Sequence, residues 1–382
     1  MWKQLLTIMV LAASVQSSSL SKFALGKVLK DASSIFGEYF KSTNHFSDWM
    51  KNYPDDTLLV HMNIPGTHDS STWNYTQATQ NSLRGITNLN QVLLWTPLAY
   101  RCQELPFIHM LNMGVRAFDL RIAFDPTNTT LIFYHAQALL SQKAGLDIVL
   151  FGFYQWLDDH PSETIFLSIK YEGSTARHAQ NNAAVQLSLY EVLTTPAAHA
   201  YFVQKKDELG TLGEARGKII LMRRFDLDQL PRWYTENLPG LHFSPNLWID
   251  NGADFTLVYN TEKNLRAYIE DYFMIQTPFG STVAENIQWK YNATVAHLKK
   301  AASSTYKGSL FWTFASSVNL LTLPPIWPQI QALGNGTEYT PNGGVNHMLV
   351  QFLKQQRGNR MGIVMFDFYD QPSDLIETFL SL

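Results

Sequence analysis

Two histidines, three basic residues and four aspartates stand at the ends of apolar runs in this chain. His68 lies in Pro65-Gly66-Thr67-His68-Asp69-Ser70, and Asp119 and Arg121 lie in Phe118-Asp119-Leu120-Arg121. His135 closes Phe133-Tyr134-His135, Lys170 closes Ser168-Ile169-Lys170, and Arg224 follows Arg223. Asp271 follows Glu270, and Asp367 sits in Phe366-Asp367-Phe368. An imidazole titrates near working pH, so it can take up one proton and deliver another. Guanidinium and ammonium groups hold oxyanions, and a carboxylate orients an imidazole. Charges that follow buried runs are costly unless they are paired or face a wet cleft. Their recurrence at one strand end after another therefore marks a cleft.

The elements that must hold these groups alternate between short β-rich runs and longer helical patterns. Eight candidate strands are Leu59 to Ile64, Val115 to Ile122, Thr130 to His135, Thr164 to Lys170, Lys218 to Arg224, Arg266 to Phe273, Ser309 to Phe314 and Gly362 to Phe368. Runs such as Ile219-Ile220-Leu221-Met222 are apolar throughout, as in a parallel sheet covered on both faces. Helical patterns fill most gaps: Asp147 to Asp159, Ala183 to Leu193, Glu285 to Ala302 and Asn346 to Gln355. The fold class expected is α/β, a single (β/α)8 TIM-type barrel, made irregular by the short gap between the second and third strands. Active sites of such barrels lie at the C-terminal strand ends, where the polar groups recur. Leu230 to Asp254 and Leu320 to Gly344 read as rim-loop insertions. An open doubly wound sheet ranks lower, because no glycine-rich loop follows the first strand.

Taken in order, these pieces resemble the X domain of phosphatidylinositol-specific phospholipases C. Gly66-Thr67-His68-Asp69-Ser70 is similar to the family's first histidine motif, and Gly114-Val115-Arg116-Ala117-Phe118-Asp119-Leu120-Arg121 to its second strand. Pro161-Ser162-Glu163-Thr164 leading to Lys170 resembles the fourth, and Arg216-Gly217-Lys218 leading to Arg224 the fifth. The resemblance implies a phosphoric diester hydrolase that cleaves an inositol phospholipid by attack of the sugar's own 2-hydroxyl. It implies His68 as general base and His135 as general acid, with Asp367 and Asp69 as their respective partners. Arg121 would hold a phosphate oxygen, with Asp119 orienting Arg121 or contacting the 2-hydroxyl. Lys170, Arg224 and Asp271 would contact inositol hydroxyls. Phe273 stands where the family often has a tyrosine that stacks on the ring. Calcium-dependent members carry acidic residues on the second strand. A guanidinium there implies the metal-free, bacterial-type branch, with no cofactor and no metal. Two rival readings are a metal-dependent glycerophosphodiester phosphodiesterase or sphingomyelinase D-like enzyme, and an inactive secreted barrel that binds lipid or sugar.

Composition sets outer bounds. The 382 residues are 46% apolar and 16% charged, enough for a large core. A net charge of −3 gives no basic field for nucleic acid, and no stable protein partner is implied. Aromatics reach 13%, as in a chain that meets sugars or a lipid interface, or in a Trp-rich core. Phospholipid, with transient membrane-surface contact, is the expected partner. Lys3 precedes an apolar run from Leu5 to Val15, which is too short to span a bilayer, so residues 1–18 read as a secretory signal peptide. Sequons at Asn74, Asn128, Asn292 and Asn335 agree with a secreted glycoprotein. Residues 19–57 form an N-terminal lead-in, with a helical segment from Phe23 to Phe46, and residues 58–382 the catalytic barrel. Cys102 is the single cysteine, so no intrachain disulfide forms.

Overall fold

The computed structural model describes residues 20–87, 95–172, 177–336, 340 and 343–382; the expected signal peptide lies outside them. Its strands are β1 (Ile64–Thr67), β2 (Ala117–Phe124), β3 (Leu131–His135), β4 (Ala138–Leu139), β5 (Thr164–Tyr171), β6 (Lys218–Arg224), β7 (Leu241–His242), β8 (Phe255–Asn260), β9 (Leu265–Glu270), β10 (Leu310–Phe314) and β11 (Ile363–Phe366). The sheet runs β7-β6-β5-β2-β1-β11-β10-β9-β8. Its neighbours are parallel except for the β8–β9 pair. This is a nearly closed barrel of eight parallel strands, with β8 added antiparallel at one edge and the β3–β4 hairpin branching from β2. Among the described residues no ladder joins β7 to β8, and the rings of Phe243 and Tyr259, 5.8 Å apart, close that seam.

Continuous apolarity is explained by burial on both faces. Every residue of β2 and β10 is buried. Inside the wall, Phe166, Ile220, Met222, Leu241, Ile269, Trp312 and Met365 pack together. Outside it, Leu120, Leu167, Ile169, Ile219 and Val364 meet the helices. Glycine is required at Gly66: a Cβ there would lie 2.5 Å from Met365 Sδ and 2.9 Å from the Ala117 Cβ. The missing side chain lets β1 sit between β2 and β11, which brings His68 to the rim.

Three strand assignments need correction. Leu59–His61 is a 3-10 turn, and the strand begins only at Ile64. The run ending at His135 is a true strand, but it pairs antiparallel with β2 and leaves the barrel wall. The link between them, residues 125–130, is too short for a parallel crossover, which needs a dozen residues or more. The eighth wall strand is instead β7, two residues long, inside the segment read as a rim loop. That segment also holds a helix, Arg232–Asn237, and the later insertion holds Pro328–Leu333. Helices match well: Leu146–Asp159, Ala183–Leu193, Val283–Ala302 and Val345–Leu353. The α-helix of the lead-in covers 20–36, short of the expected Phe46, and a 3-10 turn follows at Trp49–Asn52.

That lead-in is tied to the barrel. Phe36 stacks edge-on against Phe153 at 5.2 Å, over Gly152, where a Cβ would strike its ring. At the base, Arg116 Nη2 pairs with Glu163 Oε2 at 2.7 Å, both side chains fully buried. Arg116 also donates to the carbonyls of Ser47 and Leu111, while Glu163 accepts from Met50 N–H. Removing one partner of such a pair strands a buried charge. Arg116→Met is therefore expected to cost about 3–5 kcal/mol in urea unfolding. A loss under about 1 kcal/mol would mean the pair is not holding the lead-in in place.

Candidate active site

A cavity of about 450 Å³ opens at the C-terminal strand ends. His68, Arg121, His135, Lys170, Arg224, Asp271, Phe273 and Asp367 line it, and Asp69 and Asp119 lie buried beneath. All ten residues singled out from the sequence are thus brought to one place.

His68 follows β1 and is held by its N–H to the Phe366 carbonyl of β11. Its Nδ1 lies 2.9 Å from Asp367 Oδ1, and its Nε2 2.8 Å from Arg121 Nη2. A guanidinium nitrogen can only donate, so Nε2 carries the lone pair and Nδ1–H faces Asp367. His135 is fixed in the same sense. Its Nδ1 lies 2.7 Å from the Tyr100 carbonyl, which can only accept, so Nδ1 carries hydrogen and Nε2 faces inward. The two rings stand 6.3 Å apart, nearly perpendicular.

Asp69 sits between them. Its Oδ2 is 3.2 Å from each Nε2, and Arg121 Nε lies 2.7 Å from Oδ1. Neither Nε2 has a hydrogen of its own in this arrangement, so one proton must be held between Asp69 and His135. Burial acts toward that end, since it pushes the Asp69 carboxyl well up, against the opposing Arg121 charge. Burial, then Arg121, pushes His135 down to about 4 and His68 well below its ordinary value. Burial also pushes Asp367 well up.

Arg121 is the hub. It donates from Nε and Nη2 to Asp119 Oδ2, both at 3.1 Å, and from Nη1 to Glu172 Oε2 at 3.2 Å. Burial alone would lower its pKa, but Asp69, Glu172 and Asp119 outweigh burial and hold it well above normal. Burial pushes Glu172 and Asp119 up, but Arg121 with Lys170 outweighs it at Glu172, which is held at about 2, and Arg121 with Arg224 outweighs it at Asp119, which is held low. Three carboxylates, Asp69, Asp119 and Glu172, thus surround the Arg121 guanidinium, which supplies the positive charge among them.

On the far wall, Arg224 Nη2 lies 3.4 Å from Asp271 Oδ2, and its guanidinium stacks 3.7 Å from the Trp248 ring. Trp248 Nε1 donates to Asp271 at 2.7 Å. Arg223 points the other way, toward Asp207 and the Thr235 carbonyl, as strand alternation requires. Glu270 also faces away: it pairs with buried Lys290 at 2.6 Å, and burial raises it to about 7 despite that partner. Tyr272 does not line the cavity, and its hydroxyl accepts from Gln276 N–H. Glu172, Trp248 and Cys102 were not anticipated. Glu172 had a signal, since it is two residues past Lys170 and so on the same strand face.

Three non-glycine residues with positive φ flank the candidate groups: Asp69 (39°), Ala136 (49°) and Phe368 (45°). Such backbone is costly and persists only where surroundings impose it. Ala136 N–H donates to Glu172 Oε1, and Phe368 N–H to the Cys102 carbonyl.

Fold and cavity together define a barrel with a charged site at the C-terminal ends of its strands. Residues 67–225 match the family model described as phosphatidylinositol-specific phospholipase C, X domain. The 1-phosphatidylinositol phosphodiesterase of Staphylococcus aureus (strain Newman) is 24% identical over 233 residues, 59% of this chain and 65% of that protein. That of Listeria monocytogenes is 30% identical over 179 residues, 46% and 47% of the two chains. The matched stretches thus span less than two thirds of either relative. A solved phosphatidylinositol-specific phospholipase C from Staphylococcus aureus superposes with TM-score 0.65 at 19% identity, over 88% of this chain and 97% of that one. The one from Listeria monocytogenes gives 0.59 at 20%, over 88% and 97%. These likenesses establish the barrel.

Proposed function

We propose that this chain is a phosphodiesterase that cleaves inositol phospholipid without a metal, using His68 as base and His135 as acid. The observation that carries this is the pair of inward-facing Nε2 atoms that share Asp69 Oδ2 in one cavity, with the Arg121 guanidinium against the first of them. A phosphodiester bound to Arg121 exchanges one of its present contacts for a phosphate oxygen. His68 Nε2 then takes the proton of the 2-hydroxyl, which attacks phosphorus. The proton held between His135 and Asp69 passes to the departing glycerol oxygen. Intramolecular attack is favoured by an effective molarity of about 10⁵ to 10⁸ M. Asp367 orients His68, and Asp119 holds Arg121. Lys170, Arg224 and Asp271 meet the sugar hydroxyls, and Phe273 covers its apolar face.

Exposed apolar side chains stand on the segments that supply cavity residues: Trp95 lines the cavity itself, and Leu247, Ile249 and Leu321 adjoin Trp248, Asp250 and Leu320 in sequence. They favour transient contact with a lipid surface. Residues 1–18 and the four exposed sequon asparagines favour export. Vesicles containing phosphatidylinositol are expected to release diacylglycerol in excess EDTA no more slowly than without it. Loss of activity in chelator, restored by calcium, would favour the metal-dependent rival.

The pH dependence follows from the two imidazoles. His68 works unprotonated and is lowered, so its limb falls away on the acid side of about 6.5. His135 works protonated. In the free enzyme it lies near 4, so the kcat/KM bell is expected at acid pH. A bound phosphodiester anion favours the imidazolium, so the falling limb of kcat is expected at higher pH than that of kcat/KM. Profiles flat from about pH 5 to 9 would contradict both assignments.

A further inference from the structure

We propose that Asp69, Cys102 and His135 form an inhibitory site for a thiophilic divalent cation of the zinc type, on the proton-donor side of the cavity. The inhibition rests on the function proposed above; the binding does not. One ligand atom from each residue lies within 4.8 Å of the other two. Cys102 and His135 line the cavity, which gives a path from solvent.

Three features point to a ligand. Asp69 is fully buried, yet neither carboxylate oxygen accepts a well-directed hydrogen bond, although Arg121 Nε is 2.7 Å away. Asp69 Oδ2 and His135 Nε2 are 3.2 Å apart. That suits two ligands of one tetrahedral ion with bonds of about 2.0–2.2 Å. His135 Nδ1 is pinned by the Tyr100 carbonyl, the kind of support that orients metal-bound histidines.

Cys102 stays a thiol in the free protein, because burial pushes its pKa well up. A bound zinc ion deprotonates a coordinating thiol outright. Three bonds form, from sulfur, carboxylate oxygen and imidazole nitrogen, while the thiol proton and the Asp69–His135 proton leave to solvent. No oxidation state changes. Thiolate and carboxylate together balance the ion's charge, which limits its repulsion from Arg121. A fourth position remains open toward the cavity. With its Nε2 on the metal, His135 has no proton to deliver, and turnover stops.

The test uses the full chain, stripped with chelator and titrated with Co²⁺ and then Zn²⁺. Co²⁺ is expected to give a thiolate-to-cobalt charge-transfer band that Zn²⁺ abolishes, and Zn²⁺ is expected to inhibit phosphatidylinositol cleavage. In Cys102→Ser and Cys102→Ala the band is lost, and half-inhibition needs about 10- to 100-fold more Zn²⁺. No band in the unmodified protein, or unchanged Zn²⁺ sensitivity in a folded variant, overturns the site. A band in a protein with no phosphodiesterase activity upholds the binding and overturns the catalytic reading instead. The unmodified chain carries the primary readout, so the outcome does not depend on either variant folding.

Discussion

His68→Ala is expected to lower kcat/KM by about 10² to 10⁴, the usual contribution of a positioned general base. The loss should fall mainly on kcat, because Arg121, Lys170 and Arg224 remain to bind substrate. The variant should still fold. Asp367, left facing a gap, is already pushed up by burial and can take a proton rather than stay charged. His135→Ala is expected to fall in the same range. The double variant should lose far less than the product of the two, because residues acting on one transition state are not additive. Steady-state kinetics on the three proteins, with circular dichroism for folding, checks this. A His68→Ala enzyme retaining more than about a tenth of its activity would remove His68 from the chemistry.

Arg121→Lys should be nearly as damaging, although charge is conserved. Removing one donor of an oxyanion site typically costs about 10² to 10³ in kcat. Arg121 is a planar fork that reaches Asp119, Glu172 and His68 Nε2 at once. An ammonium group is a single point charge and cannot hold all three. Its loss leaves Glu172 and Asp119 beside the phosphate with less compensation. A kcat within about fivefold of the parent would show that net charge is enough and that the fork geometry is unimportant.

Most of the barrel was legible because two-sided burial writes itself as continuous apolarity. Lys218 to Arg224 was read to the residue, and so was the helix from Ala183 to Leu193. The failures have physical causes. Strand β1 is Ile-Pro-Gly-Thr, whose composition signals a turn. It is a strand only because β2 and β11 flank it and Gly66 lets them approach. Strand β7 is two residues after a glycine, too short to carry any period. The run ending at His135 looks like any strand, and only the six-residue link to β2 reveals that it cannot join the parallel wall. At the site, residues that end strands were visible from their cost. The web between them was not. That Asp69 reaches both histidines, and that Glu172 holds Arg121, depends on side-chain directions set by long-range packing.

Phosphorus NMR of the products, followed from the first turnovers in excess chelator, tests the central claim most directly. Attack by the sugar hydroxyl must give a cyclic inositol phosphate first, with any linear phosphate appearing later from it. Linear phosphate from the outset, with no cyclic species at any time, would mean that water is the nucleophile and that His68 does not act on the 2-hydroxyl.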